Sequence, residues 1–250
     1  NSQAVTLTGG GVTTSATGTI TDDDAYSLSI GDALGITEGD ENFTQNFTVT
    51  MTGPAASDVV ITYSTSTGTA GVGDFTGQTT ETYTIPAGET TALIPVEIIG
   101  DDIVERDESF TGTISLSNVN GQQITLLDNE ATGTIADDDA SVLSITGFTV
   151  SEDGVSADFT VSADAGIQDV VTVAFATSDV SAVAGSDYTS TSTTLSFGGV
   201  NALSQTVTIP ILTGVVAEAT ETLVGTLSSL SANSQAVTLT GGGVTTSATG

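Results

Sequence analysis

The chain has 250 residues, of which 31 are Asp or Glu and a single one, Arg106, is basic, giving a formal charge of −30. Histidine, cysteine, tryptophan and lysine are absent. These zeros exclude Ser-His-Asp and Cys-His triads, His-ligated zinc, disulfides, Schiff-base lysines and a P-loop lysine. Nucleic acid and anionic lipid would be repelled by such a charge, so neither is an expected partner. What survives is carboxylate chemistry: cation binding, or acid/base work by paired acids. Hydrophobic residues make up 38 % of the chain, enough to offset chain entropy, so the charge does not signal disorder. No apolar run approaches the length that spans a bilayer, so direct membrane insertion is not expected. The first residues have neither the charged start nor the apolar core of a signal peptide, and the chain reads as an interior excerpt of something longer.

Residues 1–18, NSQAVTLTGGGVTTSATG, recur letter for letter as residues 233–250, an offset of 232. Inside that period GTITDDDA at 18–25 returns as GTIADDDA at 133–140, an offset of 115. The period therefore divides into two modules of nearly equal length, and repeats of this kind mark tandem arrays. The expected units are 1–24, the C-terminal strand region of a preceding module; 25–139, a first complete module; and 140–250, a second module that stops before its own acidic triplet.

In chain order, period-two alternation appears throughout and helical periodicity does not. Phe47, Val49 and Met51 alternate with Thr48 and Thr50; Val59, Ile61 and Tyr63 share one face; Ile94, Val96 and Ile98 share another. Phe110, Gly112, Ile114 and Leu116 interleave with Thr111, Thr113, Ser115 and Ser117. The second module echoes this at Phe159/Val161, Val171/Val173/Phe175, Val207/Ile209/Ile211 and Leu223/Gly225/Leu227. Turn signals such as Thr52-Gly53-Pro54 and Pro86-Ala87-Gly88 separate the runs. About seven short strands per module give an all-β fold of tandem immunoglobulin-like, seven-stranded antiparallel sandwiches. One face of each sheet packs into a core and the other is left to Thr and Ser.

The acids collect at strand ends: Glu38 in ITEGDE, Asp74 in GVGDFTG, the dense stretch GDDIVERDESF at 100–110, and the triplet Asp137, Asp138 and Asp139. The first three segments lie about two strands apart, so alternate loops bring them to one end of the sandwich, where the last strand also delivers the triplet. Carboxylates gathered there repel one another or hold protons with raised pKa values. A hard divalent cation relieves this, and Ca²⁺ takes six to eight oxygen ligands at about 2.3–2.6 Å in irregular geometry.

The stretch GDFTGQTTETYTIPAGETTALIPVEIIGDDIVERDESF, followed by GTIADDD, resembles the Calx-beta family. The second module resembles it more loosely through GSDYT, TIPIL and AEATETL. The resemblance implies a seven-stranded sandwich that binds Ca²⁺ at the end where its last strand exits. The ligands it implies in the first module are Glu38, Asp74, Asp101, Asp102, Glu105, Glu108, Asp137, Asp138 and Asp139. In the second they are Glu152, Asp187, Glu218 and Glu221. There the acid pair is replaced by Gly214-Val215, which implies weaker binding or fewer ions. The triplet Asp22, Asp23 and Asp24 would serve the preceding module in the same way.

Other features read as structural. Arg106, between Glu105 and Asp107, is expected to offset repulsion within its own loop. Gly68-Thr-Ala-Gly71-Val-Gly73 opens no helix and leads into Asp74, so it is a turn and not a nucleotide loop. Gly9-Gly10-Gly11 is a flexible strand connection. Asn42 and Asn46 stand in N-x-T sequons on an expected strand and should be unmodified. Glu41, Glu81 and Glu130 are surface charges. No EF-hand string or Gly-rich Ca²⁺ nonapeptide occurs. With no Trp for sugar stacking, a two-carboxylate glycosidase is disfavoured and no enzyme is expected.

The expected role is structural: a Ca²⁺-binding stretch of a long bacterial extracellular adhesin or surface filament, with Ca²⁺ rigidifying the module junctions. Its partners are neighbouring modules of the same array, like filaments or a surface. The alternative is a regulatory Ca²⁺-sensing pair as in sodium–calcium exchangers.

Overall fold

A computed structural model describes residues 17–199, 201–215, 218–240 and 246–249 of the chain. The expectations for Gly9-Gly10-Gly11, for most of the 1–24 segment and for 241–245 lie outside the described residues. Among the described residues no helix is long and apolar enough to cross a membrane.

The order is β1 (Ala25–Ile30), β2 (Ala33–Thr37), β3 (Phe43–Met51), β4 (Val59–Thr67), β5 (Glu81–Ile85), β6 (Thr91–Ile98), β7 (Ile103–Val104), β8 (Glu108–Asn118), β9 (Gln123–Asp128) and β10 (Glu130–Ala136). There follow β11 (Ser141–Thr146), β12 (Ser156–Ala163), β13 (Gly166–Ile167), β14 (Val171–Asp179), β15 (Ser192–Phe197), β16 (Ser204–Pro210), β17 (Leu223–Ser231), β18 (Val237–Leu239) and β19 (Thr246–Thr249). In the first sandwich one sheet runs β6-β3-β1-β9 and the other β2-β10-β8-β4-β5. The second pairs β16-β12-β11-β18 against β15-β14-β17-β19.

The alternating patterns fill the space between the sheets, because successive side chains on a strand point to opposite faces. Phe47, Val49, Ile61, Tyr63, Ile94, Val96, Ile98, Phe110 and Ile114 are buried in the first core. Phe159, Val161, Val173, Phe175, Phe197, Ile209 and Leu227 are buried in the second. The Phe110 ring stacks on Phe75 at a centroid distance of 4.2 Å and meets Phe47 edge-on at 5.7 Å. Those contacts lock the strand after the acidic loop to the residue after Asp74.

The sandwiches differ from a wholly antiparallel pattern at their first and last strands. The opening run of strand breaks at Gly31-Asp32, so that β1 pairs parallel with β9 in one sheet and β2 pairs parallel with β10 in the other. Asp32 secures the crossing by accepting the Thr132 N–H at 2.8 Å. In the second sandwich β11 runs parallel to β18. With first and last strands side by side, the β2 and β10 ends emerge together, Thr37 opposite Ala136. That pairing places Glu38 beside Asp137.

The two sandwiches join through a small parallel sheet of β7 with β13, in which Ile103 pairs with Gly166 and Val104 with Ile167. The Gln168 N–H donates to the Val104 carbonyl at 2.9 Å. Val104 is 0 % exposed and packs in the core of the second sandwich, not the first. Arg106 forms an ion pair with Asp169 of the second sandwich. Its expected role inside its own loop is therefore only part of the account. It partly offsets the rise that burial causes at nearby Glu108, but its salt-bridge partner lies across the junction.

Candidate metal centre

Four segments meet at the exit end of the first sandwich. Glu38 follows β2, and its N–H donates to the Ala136 carbonyl at 3.2 Å. The segment that carries Asp101 lies directly against it. An added Cβ on Gly100 would sit 2.0 Å from the Gly39 carbonyl oxygen, so only glycine admits this approach. Asp74 is placed by the Ile99 N–H, which donates to the Asp74 carbonyl at 3.0 Å. Its carboxylate also accepts the Gly71 N–H, closing the loop upon itself. The same loop is tied to the start of β8, where the Ala70 N–H donates to the Ser109 carbonyl at 3.0 Å.

Two compact carboxylate groups result. One comprises Glu38, Asp137 and Asp139, the other Asp74, Glu105 and Glu108, with the oxygen atoms of each within 4.8 Å of one another. Glu38 is 4 % exposed, and Asp74 and Glu105 are 7 % exposed. Buried Glu38 Oε1, Glu108 Oε2, Asp137 Oδ1 and Asp139 Oδ2 have no hydrogen-bond donor. Burial, reinforced by the Asp137 charge, pushes the Glu38 carboxyl up to about 7. Burial and Asp74 push Glu105 and Glu108 up to about 8. Asp137 and Asp139 are raised for the same first cause, loss of hydration. Asp101 belongs to neither group; its charge adds to the rise at Glu38 and Glu105, and its carboxylate accepts the Ile103 N–H at 2.8 Å.

The other expected residues stand differently. Asp102 is exposed and belongs to neither group; Asp138 is exposed and accepts the Gly39 N–H at 2.9 Å, which pins the turn after Glu38. In the second sandwich Asp187, Glu218 and Glu221 form a third group of the same size. Asp187 repeats the Asp74 arrangement, its carbonyl accepting the Leu212 N–H at 2.9 Å. Glu152 is not in that group; its carboxylate accepts the Gly214 N–H at 2.9 Å, at the position where the first sandwich has Asp101. Asp22, Asp23 and Asp24 are exposed and precede β1 at the opposite end of the first sandwich, where the Gln123 side chain donates to the Asp22 carbonyl.

Sequence reasoning did not anticipate that the second sandwich lines this centre. Gln168 donates from Nε2 to Glu105 Oε1 at 2.6 Å. Gln168 and Asn201 share with Asp74, Asp101, Glu105 and Glu108 a cleft of about 660 Å³ at the junction. The one signal in the sequence is Ile103-Val104, an apolar pair inside an acidic loop.

A donor set made only of oxygen, with unpartnered buried carboxylate atoms and no nitrogen or sulfur, suits a hard cation. The Calx-beta domain model matches residues 19–139 and 141–249. The chain belongs to the Calx-beta family. Calx-beta domains are calcium-binding modules of binding or regulatory character, and this chain carries two in tandem. The orphaned oxygens of Glu38, Glu108, Asp137 and Asp139 fit that ion.

Among solved structures, the chain is similar to the crystal structure of CBD12 from CALX1.2, at 21 % identity over 82 % of this chain and 80 % of that one, with a TM-score of 0.39. It is also similar to the apo-form Calx CBD1 domain, at 26 % identity over 46 % of this chain and 100 % of that one, TM-score 0.39. A tetra-tandem repeat in the extending region of a large adhesion protein is similar at 14 % identity over 90 % of this chain and 48 % of that one, TM-score 0.38. No curated protein matches the sequence.

Proposed function

We propose that this chain is a stretch of a long bacterial extracellular adhesin or surface filament in which Ca²⁺ stiffens the joint between successive Calx-beta sandwiches. One observation carries the reading. The segment from the end of β6 to the first residue of β8 supplies two candidate ligands, Glu105 and Glu108, and ahead of them it supplies β7, which pairs with the next sandwich. An ion held by that loop fixes the joint as well as the module. In this reading one ion lies among Glu38, Asp137 and Asp139, and another among Asp74, Glu105 and Glu108, with Asp101 between them. Asp187, Glu218 and Glu221 form a sparser site in the second sandwich. The 232-residue recurrence of 1–18 favours an array, in which neighbouring modules are the partners, over a single regulatory pair such as that of sodium–calcium exchangers.

Extracellular Ca²⁺ modules bind at roughly 10⁻⁴–10⁻³ M. Calorimetric titration with Ca²⁺, together with small-angle scattering in Ca²⁺ and in EDTA, tests the reading. Millimolar binding with a longer, narrower distance distribution in Ca²⁺ is expected. Absence of binding together with identical scattering curves would overturn it.

A further inference from the structure

We propose that Gln168 of the second sandwich is a ligand, through its side-chain amide oxygen, of the cation held by Asp74, Glu105 and Glu108 of the first. The inference rests on the Ca²⁺ reading above and adds a residue from the neighbouring module to the centre.

Gln168 is tethered at two points to adjacent residues of the acidic loop. Its backbone N–H donates to the Val104 carbonyl at 2.9 Å, and its side-chain Nε2 donates to Glu105 Oε1 at 2.6 Å. The amide therefore already reaches a candidate ligand oxygen and faces the cleft that Asp74, Asp101 and Glu108 line. The torsion that carries a glutamine amide is soft and roughly two-fold. A half-turn exchanges Nε2 for Oε1 without moving the rest of the side chain. Beside a carboxyl group the N–H donor faces the site; beside a cation the same donor would be repelled, and the carbonyl oxygen takes its place.

Coordination chemistry asks for such a group. Ca²⁺ takes six to eight oxygens, and amide carbonyls are among its regular ligands. Three carboxylates that already repel one another leave positions for neutral oxygen, which adds a ligand without adding charge. The residue is particular to the second sandwich. There Gln235 Nε2 donates to the Asp169 carbonyl at 3.1 Å; in the first sandwich Gln122 Nε2 donates to the Ser57 carbonyl at 3.1 Å. That correspondence puts Ala56, which has no side-chain donor atom, where the second sandwich has Gln168.

The test uses the whole chain with Ca²⁺ by calorimetry and with Tb³⁺ by luminescence lifetimes in H₂O and D₂O, which count waters on the bound ion. Gln168→Ala should weaken one class of sites on the order of tenfold and add about one water to the bound-ion total. Gln168→Glu should return both values toward wild type. Asp102→Asn, at an exposed side chain outside both carboxylate groups, should leave the water count unchanged. A Gln168→Ala chain with wild-type affinity and wild-type water count would overturn the assignment while leaving the Ca²⁺ reading intact. A wild-type chain that binds neither ion would overturn both.

Discussion

Arg106, the only cation in the chain, forms its ion pair with Asp169 of the neighbouring sandwich and not with the acids that flank it in sequence. Asp169 is held for this contact by Gln235, which accepts its N–H at 3.0 Å and donates to its carbonyl at 3.1 Å. Arg106 is 49 % exposed and Asp169 32 %, so the pair is screened by water and contributes at most about 1 kcal/mol. Arg106→Ala should lower the melting temperature slightly in low salt and not at all near 1 M NaCl, where the screening length falls to about 3 Å. Thermal unfolding at the two salt concentrations checks this.

Val104 contributes through packing instead. It is fully buried, and its neighbours are those of the second core. Val104→Ala should cost about 1–3 kcal/mol, and the loss should fall on the second sandwich although the mutation lies in the first. Hydrogen exchange reads this directly: the Gln168 amide and the β14 amides should lose protection, while β3 and β4 keep theirs.

The pH dependence follows from the raised acids. Glu38 titrates near 7 and Glu105 and Glu108 near 8, against 4.5 for an ordinary glutamate. An acid whose folded pKa is raised binds its proton more tightly in the folded state. The calcium-free stability these groups contribute is therefore fully present below about pH 4.5 and is lost as pH rises through 7 and 8. Each tenfold difference in proton affinity between the folded and unfolded states is worth about 1.4 kcal/mol. Ca²⁺ requires the ionised forms, so its stabilisation should grow over the same interval and its binding should release protons. Denaturant melts from pH 5 to 9, with and without Ca²⁺, should differ in slope. Parallel curves would contradict this account.

Substitution within the carboxylate groups should separate the two contributions of a carboxylate. Glu105→Gln removes a buried charge and should raise calcium-free stability at pH 8–9, while lowering Ca²⁺ affinity on the order of tenfold or more. Asp102→Asn, at an exposed side chain outside both groups, should change affinity less than about twofold. Paired calorimetry and thermal melts of the two variants give the comparison.

Gly100 tests how the centre is assembled. A Cβ there meets the Gly39 carbonyl at 2.0 Å and the Glu38 carbonyl at 2.9 Å, both backbone atoms with no freedom to turn aside. Gly100→Ala should cost about 1–3 kcal/mol and weaken Ca²⁺ binding by moving Glu38 away from Asp101. Gly73→Ala, where a Cβ meets nothing within 4 Å, is the control and should be close to neutral.

The strands were legible because alternation is a local property. Residues such as Val59, Ile61 and Tyr63 announce a buried face by spacing alone, and all three are 0 % exposed. Glu38, Asp74, Glu105, Glu108, Asp137 and Asp139 were legible as a converging set because alternate loops of a sandwich share an end. The departures are contacts between residues far apart in the chain. The parallel pairing of β1 with β9 depends on a break at Gly31-Asp32 that changes sheets. The hold of the Gly214 N–H on Glu152 joins two distant loops, and nothing in the sequence of either loop marks Gln168 as facing Glu105.

Sequence by itself determined the class of chemistry: with 31 acids, one Arg and no His, Cys or Lys, clustered carboxylates can be neutralised only by protons or by cations from outside. It also determined the repeat and the sandwich, since periodicity and composition act over a few residues at a time. Only the tertiary structure decided which acids lie together, that Val104 belongs to the next core, and that Gln168 of one module reaches Glu105 in the carboxylate cluster of the other. Those outcomes turn on distances of about 3–5 Å between chain segments, where charge, burial and a single backbone donor compete. No local pattern encodes which of them wins.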